Sequence, residues 1–113
     1  MKIRVIINAQ HEIMEDQVRA IKEYWAGKEV NIVLEKIPAE GLVLAEIEKL
    51  SKKLFEGRET EEIVIASPIP ALMSTLASEG TDFFVLHNDK REKKELPNGK
   101  IIMTVVRGGW VIV

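Results

Sequence analysis

Short apolar runs alternate with amphipathic segments along most of the chain. Four runs are rich in β-branched or aromatic residues and are short enough to be buried strands. They lie at 3–7, 30–37, 63–66 and 83–86. After the first run, apolar residues recur every three or four positions, which predicts a helix with one apolar face. These residues are Met14, Val18, Ile21 and Trp25, and we expect Met14 and Trp25 to lie in the core.

Two further helices are predicted between the later strands. The second follows Gly41, and its apolar face is carried by Leu44, Ile47, Leu50 and Leu54. The third covers 71–77, with Pro70 suited to its first turn. Three successive strand–helix alternations predict parallel pairing with helices on both faces of the sheet. The expected fold class is therefore α/β, with a Rossmann-like three-layer arrangement.

The C-terminal part changes character. Pro97, Asn98 and Gly99 form a tight-turn signal, and the β-branched segment 101–106 predicts a strand after it. Residues 107–109 then turn or bulge before a last apolar run at 110–113. We therefore expect a C-terminal antiparallel β extension on a mostly parallel sheet.

Length and composition narrow the possible functions. With 113 residues, the chain is expected to form a single domain over 1–113. A net charge of only -2 gives no general affinity for duplex nucleic acid, so any anion site must be a local cluster of cations. There is no cysteine, and the two histidines lack the spacing of metal ligands. We expect no metal, no cofactor, no membrane association and a cytoplasmic location.

Polar side chains with useful chemistry follow three of the predicted strands. In an α/β sheet, ligands bind beyond the carboxyl ends of the strands. The first strand leads into Asn8, Gln10 and His11, and the third into Ser67. The fourth leads directly into His87, Asn88, Asp89, Lys90 and Arg91. These residues offer proton transfer, amide hydrogen bonding and cations for phosphate.

Each of these features also has a purely structural explanation. His87 could transfer protons, or it could pair with Asp89. The charged segment 90–94 could bind an anion, or it could be a solvated hairpin arm in which Glu92 dilutes the positive charge. The segment 67–70 is either a rigid helix start or an anion-binding loop. Trp110 could pack internally or lie in a dimer interface.

Three segments resemble the small CRISPR-associated ring nucleases, which are compact Rossmann-like proteins that cleave cyclic oligoadenylate second messengers. The segments are Val5-Ile6-Ile7-Asn8-Ala9-Gln10-His11 with Glu15-Asp16-Gln17, then Ser67-Pro68-Ile69-Pro70-Ala71-Leu72, and His87-Asn88-Asp89-Lys90-Arg91-Glu92-Lys93. The resemblance covers essentially the whole chain. It implies a homodimer that binds the ring across its two-fold axis and cleaves it without metal. Such an activity would switch off CRISPR type III signalling in antiviral defence.

With that activity, the candidate residues would take distinct roles. Cleavage by the ribose 2'-OH needs alignment and charge neutralisation more than a protein nucleophile. We expect catalytic roles for His87, Lys90 and Arg91. The expected ligand-binding residues are Asn8, Gln10, His11, Ser67, Asn88 and Asp89. Two alternatives remain open: a noncatalytic module that senses or sequesters a cyclic or linear nucleotide, and a structural subunit whose charged loop is a partner surface.

Overall fold

A computed structural model of the chain describes residues 1–105 and 109–113. Within those ranges it contains three helices and seven strands. Their order is β1 (Lys2–Asn8), α1 (Glu15–Tyr24), β2 (Asn31–Ile37), α2 (Leu44–Glu56), β3 (Glu61–Ile65), α3 (Pro70–Ser78), β4 (Phe84–Asn88), β5 (Arg91–Glu95), β6 (Ile101–Val105) and β7 (Trp110–Ile112). The described part of the predicted strand at 101–106 is thus confirmed. Val106, Arg107 and Gly108, which include most of the predicted turn or bulge, lie outside the described residues.

The described strands form one mixed sheet and one separate hairpin. The sheet has the order β2-β1-β3-β4-β7, in which the first four strands are parallel. Strand β7 runs antiparallel to β4, and β5 pairs with β6 in the hairpin. The prediction of a mostly parallel α/β sheet with an antiparallel C-terminal extension is confirmed. Arg91–Glu95 forms one strand of this hairpin. A hairpin arm was one of the two interpretations of the charged segment 90–94.

The side chains of β1 alternate between two hydrophobic cores. Ile3, Val5 and Ile7 pack on one side with Ile21 of α1 and other buried residues. Ile6 packs on the opposite side with residues of α2 and α3. Successive side chains of a strand point to opposite faces, so a strand buried on both faces reads as a continuous apolar run. Of the described helices, α1 therefore covers one face of the sheet, and α2 and α3 cover the other.

The first turns of α1 and α2 explain two wrong expectations. Met14 is the residue before α1, and its N–H donates to Gln17 Oε1 at 2.9 Å. Its side chain is 40% exposed, so its predicted place in the core is wrong, whereas Trp25 is buried as predicted. Leu44 is the first residue of α2 and is 63% exposed. Both residues lie at the start of a helix, Met14 just before α1 and Leu44 in the first position of α2, so the apolar face reaches the core only from the next turn on.

No helix in the described ranges is long and apolar enough to cross a membrane.

An ion-pair network connects Arg4 of β1 with both neighbouring strands. The Arg4 guanidinium donates two hydrogen bonds to the carboxylate of Glu61 on β3, one of them at 3.0 Å. It donates a third to Glu35 on β2 at 3.2 Å. The hydrogen bond from Arg4 lowers the pKa of Glu61, and the pKa of Arg4 is raised in turn. Because both side chains are mostly covered, this pairing should matter more than a surface salt bridge.

Replacement of Glu61 by Gln should lower the free energy of unfolding by about 1–3 kcal/mol near neutral pH, because Arg4 loses its main charged partner. A carboxyl group whose folded pKa is depressed stabilises the protein above its unfolded pKa. That stabilisation is lost as the pH falls through the folded pKa. The difference between wild type and Glu61→Gln should therefore shrink as the pH falls below about 5. Urea unfolding across that range measures it.

The matched control is Glu59→Gln, which removes an exposed carboxylate that makes no ion pair with any described residue. An equal, pH-independent loss of stability in both variants would contradict the role of the Arg4–Glu61 pair.

Candidate functional site

The carboxyl ends of β1, β3 and β4 lie at one edge of the sheet. The register pairs Ile6 with Ile65, and Ile65 with Val85. Continued by two residues, that register brings Asn8, Ser67 and His87 to the same level. The three strand ends therefore share one edge, as the strand order along the chain predicted.

Asn8 and Ser67 are joined directly at this edge. The backbone N–H of Asn8 donates to Ser67 Oγ at 2.9 Å. The Asn8 side-chain oxygen accepts from the N–H of Gln10 at 2.8 Å, and the His11 N–H donates to the Asn8 carbonyl at 2.9 Å. An Asn that bonds its own backbone two residues on forms a compact turn. This turn holds Gln10 and His11 above the end of β1.

A cleft of about 720 Å³ lies at these strand ends. The chain leaves β1 toward β2 on one side and returns across β1 to β3 on the other, so the strand order reverses between β1 and β3. Open α/β sheets bind ligands at such a reversal. Its walls combine apolar and polar side chains. They are Ile7, Asn8, Gln10, His11, Glu12, Met14, Gln17, Ala66, Ser67, Pro68 and Trp110.

A second cleft, of about 530 Å³, lies against the side of the sheet covered by α2 and α3. It shares Asn8, Ser67 and Pro68 with the larger cleft, so these residues form a rim between the two. Pro70 is the first residue of α3 and also lines this second cleft. The segment 67–70 is therefore both a rigid helix start and part of a cleft wall.

His87 is at the same edge but lines neither cleft. The neighbouring Leu86 packs into the core beside α1, so alternation along β4 points His87 to the opposite side. Its side chain is 53% exposed, and its Nε2 lies 3.6 Å from Asp89 Oδ1. Pairing with Asp89 was the structural explanation for His87. His11, by contrast, lines the larger cleft.

The turn after β4 carries the remaining candidates and packs tightly against the start of β7. Asn88 is buried, and its Oδ1 accepts from the Lys90 N–H at 2.9 Å. The Asp89 N–H donates to the Gly109 carbonyl at 2.9 Å. A Cβ atom on Gly109 would lie 2.9 Å from Asn88 Oδ1 and 3.0 Å from Lys90 Cβ. Arg91 begins β5, and only its backbone is described.

The charges around the clefts are unevenly distributed. In the described part of the chain, neither cleft is lined by a lysine or arginine, whereas Glu12 lines the larger one and Glu40 the smaller. Lys90 lies near the edge of the sheet, beside Gly109. No group of three or more His, Asp or Glu side chains within the described ranges is arranged to hold a metal ion.

Three residues of the larger cleft lie outside the strand-end segments in which the site was predicted. Trp110, Gln17 and Met14 all line the larger cleft. Met14 and Gln17 belong to the start of α1, where Gln17 Oε1 accepts from the Met14 N–H. Trp110 reaches the cleft because β7 pairs beside β4, with Trp110 opposite Asn88. No local signal in the sequence indicates that pairing.

Comparison with known proteins adds no match to this description. No family model matches the chain, nor does any curated protein or solved structure. The function of the protein is therefore inferred from the geometry of the site and from the motifs in the sequence.

Gly109→Ala should disturb the Asn88–Lys90 turn, because the added methyl group would meet Asn88 Oδ1 at less than van der Waals distance. We expect a loss of about 1–3 kcal/mol in the free energy of unfolding. Amide chemical shifts should change most at Asp89 and Lys90. Thermal unfolding and two-dimensional NMR of the variant measure both effects.

Gly57→Ala is the matched control, because a Cβ at Gly57 meets its nearest atoms at an ordinary 3.5 Å and the backbone there is right-handed helical. Equal losses of stability in the two variants would show that close packing at Gly109 is not the cause.

Proposed function

We propose that this protein is a metal-independent ring nuclease with a Rossmann-like fold that cleaves cyclic oligoadenylates. In the cytoplasm it would switch off CRISPR type III signalling. One observation supports this most directly: the Asn8 and Ser67 ends of β1 and β3 meet in a large cleft, and the turn with Asn88 and Lys90 lies at the same edge. Amide and hydroxyl groups beside a cation are what a ribose–phosphate ligand needs.

The proposed reaction uses the ligand's own 2'-OH as the nucleophile. The 2'-oxygen forms a bond to the adjacent phosphorus, and the bond from phosphorus to the 5'-oxygen breaks. A base takes the 2'-proton and an acid protonates the 5'-oxygen, which leaves a 2',3'-cyclic phosphate and a 5'-OH. The protein must align these atoms and stabilise the added charge on the phosphorane.

The placement of the residues suggests a division of these tasks. In this proposal, Asn8, Gln10 and Ser67 hydrogen-bond ribose and phosphate oxygens at the rim. Lys90 is the proposed phosphate-neutralising cation, with Arg91 next to it in the chain. His11 is the histidine within the larger cleft, so it joins His87 as a proposed proton-transfer group.

The proposed assembly is a homodimer. A cyclic ligand with rotational symmetry suits an isologous pair, which presents each loop twice around one axis. Strand β7 is the last strand of the described sheet, and its Val111 is exposed, as is Val113 directly after the strand. An edge strand of this kind is an aggregation hazard unless something covers it. Dimer formation would remove that hazard.

A noncatalytic sensor or sequestering module is the second candidate. It is favoured by the position of His87, which lies near Asp89 and lines neither cleft. A protein with this edge could hold the ring through amides and a cation while leaving its phosphodiester bonds intact.

Wild-type protein incubated with cyclic tri-, tetra- and hexa-adenylate in EDTA should convert at least one ring to products with a 2',3'-cyclic phosphate. The same ring with 2'-O-methyl riboses should bind and remain intact, because the nucleophile is blocked. Chromatography with mass spectrometry identifies the products, and light scattering on the same samples reports the dimer. Tight binding of the unmodified ring without product would establish the sensor instead.

Substitutions at the edge should separate binding from chemistry. Lys90→Ala should weaken binding and turnover together, because a phosphate-neutralising cation acts in the ground state as well as the transition state. Lys100→Ala, in the turn of the exposed hairpin, is the charge-matched control and should change neither. His11→Ala or His87→Ala should lower the single-turnover rate about 10²-fold if that histidine transfers protons, with little change in affinity. Full activity in both histidine variants would refute proton transfer by either.

A further inference from the structure

Trp110 lies between the larger cleft and the charged turn after β4. Its side chain lines the cleft and packs against the hydrophobic core beside α1. In the β4–β7 ladder it stands opposite Asn88. The preceding residue, Gly109, contacts the Asn88–Lys90 turn closely enough that a Cβ there would meet Lys90 Cβ at 3.0 Å. Trp110 thus forms part of the cleft wall, and the adjacent Gly109 contacts the Asn88–Lys90 turn.

The part of Trp110 that faces the cleft is apolar. Its indole Nε1 is buried and has no hydrogen-bond partner among the described residues. The indole surface that lines the cleft is therefore carbon rather than the N–H group. An aromatic side chain with carbon atoms exposed in a cleft can stack on the face of another planar ring.

The other residues that line the cleft favour an uncharged ligand. Ile7, Ala66 and Pro68 contribute apolar surface, while the amides of Asn8 and Gln17 contribute hydrogen-bonding groups. A volume of about 720 Å³ lies within the range of pockets that hold a ligand of nucleotide size.

The charges at the cleft argue against a phosphate inside it. A phosphate there would meet the Glu12 carboxylate, and no described lysine or arginine lines these walls to balance it. A nucleobase with its ribose meets no such penalty.

We infer that Trp110 is the stacking platform for a nucleobase. The larger cleft then holds the base and ribose, while the phosphates lie outside the cleft near Lys90. That the base is adenine rests on the proposed function. Trp110 is thus a specificity-determining residue that strand-end motifs do not indicate. Stacking on an aromatic side chain is worth about 10- to 100-fold in affinity when that side chain is removed.

The test uses the two tryptophans of the chain as probes. In a Trp25→Phe background, all tryptophan emission comes from Trp110. Adenosine and adenosine 5'-monophosphate should both quench that emission, and the monophosphate should bind at least as tightly, because its phosphate lies outside the cleft near Lys90. Ribose 5-phosphate, which has no base, should not quench it. Equal binding of ribose 5-phosphate and adenosine monophosphate would overturn the inference.

Two substitutions at Trp110 complete the test. In calorimetric titrations, Trp110→Leu should weaken adenosine and cyclic tetra-adenylate binding by about 10-fold or more, because the apolar volume remains and the aromatic face is lost. Trp110→Phe should retain most of the affinity. Circular dichroism shows whether each variant is folded. Should Trp110→Leu fail to fold, the fluorescence test still decides whether a base binds at Trp110, because adenosine should quench the emission and ribose 5-phosphate should not.

The outcomes separate this inference from the proposed function. Ring binding and cleavage unchanged in folded Trp110→Leu would refute stacking and leave the ring nuclease intact. Quenching by adenosine, with no binding of any cyclic oligoadenylate, would support the base site and refute the ring nuclease. Absence of binding by nucleoside and rings alike would overturn both.

Discussion

The structure depends on β1 having a parallel partner on each side. Its side chains are buried on both faces of the sheet, and the Arg4 network connects its amino end to both neighbours. Because β2 and β3 flank β1, the first crossover runs from β1 to one side and the second returns across β1 to the other side. The covering helices are drawn apart there, and a cleft opens above Asn8. The hydrogen bond from the Asn8 N–H to Ser67 Oγ joins the ends of β1 and β3 at the rim of that cleft.

The same arrangement separates two kinds of chemistry at the edge. The larger cleft combines apolar walls with amides and a hydroxyl group, while Lys90 lies on the turn after β4. A nucleotide also has two chemically different ends, an aromatic base and an anionic phosphate. In the proposed function, the base binds in the larger cleft against Trp110 and the phosphate binds near Lys90. Gly109 connects the parts, because its lack of a side chain lets β7 approach Asn88.

The positions of the two histidines bear on whether the protein turns over its ligand. A proton-transfer group must come within hydrogen-bond distance of the reacting oxygen. His11 is held by the turn after β1 and lines the cleft, whereas His87 points to the other side of the sheet beside Asp89. For a ligand in the larger cleft, His11 is therefore better placed. A ring that spans two subunits would extend beyond one cleft and could bring its phosphodiester bonds to His87.

The sequence by itself determined the parallel α/β core and the strand-end position of the polar residues. Those features follow from local periodicity, because a doubly buried strand and an amphipathic helix each repeat over a few residues. Periodicity misplaced Met14, since helix burial does not extend to the residue before the first turn. Only the tertiary structure decided that Trp110 enters the cleft and that His87 stays outside it. Trp110 enters the cleft because β7 pairs with β4, a contact between distant residues that leaves no periodic signal. His87 stays outside because Leu86 packs into the core beside α1, which turns the next side chain of β4 to the other face.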